Sequence, residues 1–290
     1  MKTVQERVDI CVKTKKLSAG LIRNVLSENL EISEAKFRDL LHEEMKKEPE
    51  IYEGGWYEPP PFGIGVLFSK TDDFARLQYD TLREGKFWPG ENHVLKNGSV
   101  GLIYLSPVNR ETGIIGEFGT TIYLGKDEKI KKHLGKSLNL LEKVAGYVEV
   151  GMEFRELHNS AQKLFVENGL NNERTVTYTD KVGTNLGHTI PWTHEEPTSE
   201  EVNTIKGGNF KRLKGLISSK RINVNGEEKF KIPENIAFTV EVRLEDSEER
   251  KLPLVFFHLI VAVKNGKKNT YSYFGEIFKL LEMDKYMGSN

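Results

Sequence analysis

The spacing of apolar residues predicts helices at the start of the chain. Val8, Cys11 and Val12, then Leu21, Ile22, Val25 and Leu26, recur at helical intervals, and two helices are expected between residue 4 and about 46. The break falls in SENLEISEAKFRDLL. Ser33 is placed to cap the second helix, with Glu34 in its first turn and Phe37, Leu40 and Leu41 on its inner face. The run GGWYEPPPFGIG (54–65) cannot continue a helix, because Pro59, Pro60 and Pro61 lack donors and fix φ. It reads as a structured loop leading to a short strand, Ile64 to Phe68.

Between Ser99 and Gly125 the pattern changes to that of a β-hairpin or meander, with VGLIYLSPV and TTIYLG as strands and NRETG as the turn. Helical spacing returns from Lys129 to Asn168. Further strands are expected at Thr175–Tyr178, Arg212–Ile217, Ala237–Leu244 and Phe256–Lys264, followed by a closing amphipathic helix, Tyr273–Leu281.

The order helix, helix, strands therefore occurs twice, and a short echo accompanies it. NLEISEAKFRDL (29–40) matches YVEVGMEFREL (147–157) with one deletion, pairing Glu31 with Glu149, Phe37 with Phe154 and Arg38 with Arg155. No linker rich in Gly, Ser or Pro divides the chain. The expectation is one α+β domain, 1–290, made of two halves (about 1–126 and 127–290) packed about a pseudo-twofold axis.

Composition removes several function classes. The 42 Lys and Arg against 43 Asp and Glu leave a net charge of -1, so no overall field recruits nucleic acid or an anionic membrane. One cysteine, Cys11, excludes an internal disulfide and a cysteine-cluster metal site, and the charged N-terminus has no signal-peptide core. A cytoplasmic protein without nucleic-acid or membrane partners is expected.

The candidate chemistry lies in Glu117, His188, His194, Glu241 and His258, each in or beside an apolar strand or a Gly-punctuated turn. VGTNLGHTIPWTHEEP (182–197) alone brings together His188, His194, Glu195 and Glu196. Each residue also has a plainer reading. Glu241 shares a strand face with Arg243 and can simply pair with it, and His258 within FFHLIV can be a core histidine bonded to the backbone. GGWYEPPPFG is either a packed surface loop or part of a cleft wall, while EDSEER (245–250) and KDEKIKKHLGK (126–136) read as solvated charge.

Taken together these segments resemble the pita-bread proteins of metallopeptidase family M24: methionine aminopeptidases, aminopeptidase P, prolidase and creatinase. GHTIPWTHEEP (187–197) is similar to the family's Gly-His-Gly-Ile-Gly followed by His-Glu-Glu-Pro. ENIAFTVEVRL (234–244) resembles its strand ending Phe-Thr-Ile-Glu-Pro, and GIIGEFGTTIYLG (113–125) its segment Gly-Tyr-x-x-Asp-x-x-Arg-Thr-Phe-x-x-Gly. The resemblance implies an antiparallel-rich sheet with helices outside it. It also implies a hydrolase, such as an aminopeptidase, whose carboxylates and histidine hold two divalent ions and activate a water.

Residue by residue, the ligand histidine falls on His188, the first ligand glutamate on Glu241 and the second aspartate on Glu117. The first aspartate falls at or near Ser106, and the last glutamate on Phe257 or, shifted by one, on His258. His194 matches the histidine that contacts substrate or stabilises the transition state, and the further upstream histidine is replaced in KFWPGENHVLKNG by Phe87 or Trp88, with His93 too close to the strand.

With Ser106 in place of an acid, a dinuclear site is not expected. Two active alternatives remain. Glu117, His188, Glu241 and His258 hold one zinc, manganese or iron ion, or the pocket works without metal, creatinase-like, with His188, His194, Glu241 and Glu117 handling protons. Expected substrates are a small peptide, including Xaa-Pro, or a small amide or amidino compound, in a chain that could pair as a homodimer. The opposing reading is an inactive binding module for a peptide or protein partner.

Overall fold

A computed structural model describes residues 2–172, 180, 182–249 and 251–287. The chain opens with α1 (Val4–Glu28), capped by Thr3, then β1 (Ile32–Ser33) and α2 (Glu34–Lys46), where Ser33 Oγ accepts from the Lys36 amide as its sequence position predicts. After the proline-rich loop come β2 (Ile64–Phe68), β3 (Val94–Leu95), β4 (Val100–Leu105) and β5 (Phe118–Tyr123). Two helices follow, α3 (Glu128–Tyr147) and α4 (Phe154–Glu167), then β6 (Leu170–Asn171), α5 (Ser199–Lys206) and α6 (Phe210–Lys220). The chain ends with β7 (Ile236–Asp246), β8 (Val255–Lys264), β9 (Lys267–Tyr271), α7 (Gly275–Leu280) and α8 (Asp284–Met287).

The main sheet runs in the order β2-β4-β5-β8-β7-β6, with β9 added beside β8, and every pairing in it is antiparallel. Alternation sorts its two faces. Phe238, Val240, Val242 and Leu244 of β7 join Phe257, Leu259 and Val261 of β8 in the larger core, with Leu134, Leu138 and Leu141 of α3 and Phe154 of α4. The opposite face carries Ala237, Ile260 and Ala262 into a second cluster with Val8 and Cys11 of α1, Trp56, Trp192, and Leu213 and Ile217 of α6. Between these apolar neighbours the same face carries Thr239, Glu241 and His258, with Glu241 directly opposite His258 across the β7–β8 ladder.

Two of the expected elements change. Arg212–Ile217 is helical, not a strand: Asn209 Oδ1 accepts from the Arg212 amide as an N-cap, and Leu213 and Ile217, four apart, are the residues that α6 buries. A six-residue window with three apolar positions, Leu213, Leu216 and Ile217, is too short to fix the period, and the cap decides it. The Tyr273–Leu281 helix starts two residues later, at Gly275, because Tyr273 sits at φ 58. The strand expected at Thr175–Tyr178 lies outside the described residues. The echo of 29–40 in 147–157 does lead each time into a helix, yet Phe37 is the fourth residue of α2 and Phe154 the first of α4, so those two are not equivalent in position.

Candidate active site

Glu117 is the hub. It precedes β5 on the face shared with Tyr104 and is 1% exposed. Its Oε1 accepts from Trp56 Nε1 at 2.6 Å and Tyr104 Oη at 2.7 Å, while Oε2 lies 3.3 Å from His188 Nε2 and 3.4 Å from His258 Nε2. One carboxylate thus gathers two imidazoles, an indole and a phenol.

His188 reaches this point because residues 186–190 run along the free edge of β7. Thr239 N donates to His188 O at 2.8 Å, Glu241 N to Leu186 O at 2.8 Å and Ile190 N to Ala237 O at 2.9 Å. The segment is clamped from the other side by Val224 and Ile222. Gly187 makes the approach possible: its φ is +118, and a Cβ there would stand 2.2 Å from Thr239 Oγ1. That hydroxyl accepts from His188 N at 2.8 Å. His188 Nδ1 faces Thr189 O at 3.0 Å, and since a carbonyl only accepts, the neutral ring carries its proton on Nδ1 and directs a lone pair from Nε2 towards Glu117. Burial holds the imidazole down to about 4, against the pull of Glu117.

His258 and α1 are joined through Lys15. Main-chain pairing of β5 with β8 is confined to Thr120↔Phe257. On one side Thr121 Oγ1 donates to Phe256 O and accepts from Phe256 N; on the other Lys15 Nζ donates to Glu117 O at 3.1 Å and to His258 O at 2.9 Å. The helix comes this close because Gly116 has no side chain, a Cβ there meeting the Lys15 amide at 2.5 Å. Lys15 Nζ also lies 3.4 Å from His258 Nδ1. Burial and the neighbouring Lys15 push His258 down to about 3.

Glu241 is at the same face with its Oε2 3.6 Å from Arg243 Nη1, the pairing that its strand spacing allows. Arg221 lies over the Trp56 ring at 4.3 Å, and Arg83 over that of Tyr57 at the same distance. The proline-rich loop is therefore part of the site's wall, where a plain surface loop was the simpler expectation.

The remaining expected residues are elsewhere. His194 packs edge-on against Phe230 at 5.2 Å, and no hydrogen bond or ion pair among the described residues ties it to Glu117, His188 or Glu241. Glu195 and Glu196 pair with Lys220 and Arg7, anchoring α6 and α1. Ser106 Oγ, fully buried, donates to Gly63 O at 3.2 Å and accepts from Tyr57 N at 3.3 Å, so it holds the proline-rich loop. Phe257 faces away, against Phe274 and Phe278, which leaves His258 as the site residue of that pair. Trp56, Tyr104, Lys15 and Arg221 were missed. For Lys15 a signal existed: it falls on the buried stripe Val8, Cys11, Lys15, Ser18, Ile22, where a lysine is out of place.

A carboxylate and two histidines converge on one face of an antiparallel sheet that has helices packed on it, an architecture like that of the pita-bread proteins. The profile of metallopeptidase family M24 matches residues 11–264, and the chain belongs to that family. Among solved structures it is similar to a methionine aminopeptidase from Thermotoga maritima, at 14% identity and a TM-score of 0.61, covering 91% of this chain and 96% of that one. It is also similar to the X-Pro aminopeptidase from Thermotoga maritima MSB8, at 14% identity and TM-score 0.55, with 92% of this chain and 63% of that chain covered. A prolidase from Pyrococcus furiosus matches at 14% identity and TM-score 0.59, over 92% and 64%. The chain thus spans less than two thirds of the last two, and likeness at this identity shows the fold. A comparison with curated protein sequences finds no match.

Membership raises the question of a divalent ion. Among the described residues no group of three or more His, Cys, Asp and Glu side chains is arranged to hold one. The donor chemistry agrees. Glu117 Oε1 already takes two donors, Glu241 faces Arg243, the position expected for an aspartate is Ser106, and the ammonium of Lys15 stands against His258. Two carboxylates among three buried or half-buried cations, Lys15, Arg221 and Arg243, leave no excess negative charge to attract a further dication. These residues do not fit a resident divalent ion.

Proposed function

We propose that the chain is an M24-type hydrolase that cleaves a C–N bond in a short peptide or amide carrying a carboxylate, with Glu117 and His188 as its proton carriers. The observation that supports this most directly is the 3.3 Å separation of Glu117 Oε2 and His188 Nε2. Because Nδ1 of His188 faces a carbonyl, a carboxylate oxygen and an imidazole lone pair confront one another, and one proton between them relieves the repulsion. Such a pair accepts a proton from an attacking water and returns it to a leaving nitrogen. The water oxygen bonds to the carbonyl carbon as one proton passes to the pair. The C–N bond then breaks as that proton reaches nitrogen, leaving an acid and an amine, with Arg221 steadying the oxyanion.

Charge selects among the substrates that the family offers. Lys15, Arg83, Arg221 and Arg243 outnumber Glu117 and Glu241, so a guanidinium or amidinium group is repelled and a carboxylate attracted. Peptides are favoured over amidino compounds. A cytoplasmic setting suits Cys11, which is buried and unpaired. No helix among the described residues is long and apolar enough to cross a membrane.

A second reading has its own observation: Ser106 holds a loop and Phe257 lies in the core, so two positions expected to be acidic carry no acid. In that reading the cleft binds a peptide or protein partner and does not cut it. Incubation with Xaa-Pro dipeptides, other short peptides and amidino compounds, read by mass spectrometry, tests the choice. Peptide cleavage lost in both Glu117→Gln and His188→Ala is the expected result. Peptide binding without cleavage would favour the second reading, and cleavage of amidino compounds alone would refute the charge argument.

A further inference from the structure

The reaction just described makes no use of Lys15. This residue is 0% exposed on α1, with Cys11 one turn before it and Ser18 one turn after, both also buried. Its Nζ has three acceptors: Glu117 O, His258 O and His258 Nδ1, and it lies 5.0 Å from the centre of the Phe118 ring. An ammonium has three N–H groups, so the set is matched one to one. The titratable groups facing it are Cys11 on its own helix, Glu117 ahead of β5, Glu241 on β7 and His258 on β8. Burial pulls the ammonium down to about 7 while Cys11, Glu117 and Glu241 pull it back up.

A buried cation persists where fixed acceptors and opposite charge offset its lost hydration. Here the opposite charge is the same pair of carboxylates that the family resemblance would give to a metal. We propose that Lys15 is a positioning residue and the built-in cation of this site: its ammonium bridges the carbonyls of Glu117 and His258 and supplies the positive charge that keeps Glu117 in place, in the role of a divalent ion. With Nδ1 of His258 facing the ammonium at 3.4 Å, the ring proton falls to Nε2, which lies 3.4 Å from Glu117 Oε2 without a hydrogen bond between them. The inference goes beyond the hydrolase reading and holds equally for a site that only binds, so it is tested without turnover.

The test is a double-mutant cycle on the full chain, read as urea midpoints, with Lys15→Met, Glu117→Gln and the two combined. Methionine keeps the length of the buried stem, and glutamine keeps the Glu117 carbonyl that Lys15 also touches. The expected result is a large midpoint loss for Lys15→Met alone and a smaller one in the Glu117→Gln background. Equal losses in both backgrounds would reduce Lys15 to a cap on two carbonyls and overturn the proposal. If Lys15→Met fails to fold, a folded double variant supports it and an unfolded one overturns it. Elemental analysis of the wild type gives an independent outcome: stoichiometric zinc, manganese or iron whose removal by EDTA lowers the midpoint would also overturn it.

Discussion

Glu117 Oε2 faces His188 Nε2 at 3.3 Å while the other nitrogen of His188 faces a carbonyl, so two acceptors share one contact. Glu117→Gln separates the chemistry of that contact from its packing. The amide oxygen still accepts from Trp56 and Tyr104, while the amide nitrogen, placed to donate to His188 Nε2, stands against His258 Nε2, and the negative charge near Lys15 is gone. A lower thermal midpoint is expected, because a buried cation loses part of its opposite charge, and kcat of the folded variant on a cleaved peptide is expected to fall by roughly 10²–10⁴. Steady-state kinetics beside a thermal melt check this; an unchanged kcat would remove Glu117 from proton transfer.

Gly187→Ala strikes the geometry that delivers His188. The residue sits at φ +118, and the added Cβ would meet Thr239 Oγ1 at 2.2 Å and the Thr239 carbonyl oxygen at 2.5 Å. Strain at such a position costs on the order of 1–3 kcal/mol, before the clash with β7 is counted. The expected outcome is a clear drop in the urea midpoint together with loss of activity. A variant as stable as the wild type would mean that residues 186–190 can leave the strand edge freely.

Much of this site could be read from the order of residues. His188, Glu117, Glu241 and His258 stand out because charged or ionisable groups interrupt apolar strands, and the structure brings all four to one face of the sheet. What could not be read is what each polar atom touches. His194 and the two glutamates after it look like site residues because they are close in sequence to His188. The buried, left-handed Trp192 (φ 62) intervenes, and both glutamates pair instead with Arg7 and Lys220. Lys15 is 102 residues from Glu117 and 243 from His258, so no local pattern links them. The strand expected at Arg212–Ile217 failed for the opposite reason: the deciding signal, the Asn209 cap, lies just outside the window.

Stability should fall on mild acidification. His188 and His258 are lowered by burial to about 4 and about 3, from an ordinary value of 6.5. Below pH 6.5 the unfolded chain therefore binds protons at these rings while the folded chain does not, and folding stability decreases as pH falls towards 4 and then 3. The interval between pH 6.5 and 5 is the most informative, because ordinary carboxylates titrate below it. Urea midpoints at pH 7, 6 and 5 are expected to descend, less steeply in His258→Asn than in the wild type. A flat profile would mean that both rings take up protons in the folded protein as readily as in the unfolded chain.

Trp56→Phe examines the wall contributed by the proline-rich loop. The indole donates to Glu117 Oε1 at 2.6 Å, carries Arg221 on its face at 4.3 Å and meets the His188 ring edge-on at 5.9 Å. Phenylalanine retains an aromatic surface but removes the donor, leaving Tyr104 as the partner of Oε1. Loss of one hydrogen bond to a buried carboxylate costs about 1–3 kcal/mol. Since the same indole also seats Arg221, the variant should lose more in kcat than in substrate affinity, because the oxyanion forms only during the reaction. A change confined to KM would place Trp56 in substrate binding and detach Arg221 from the reaction.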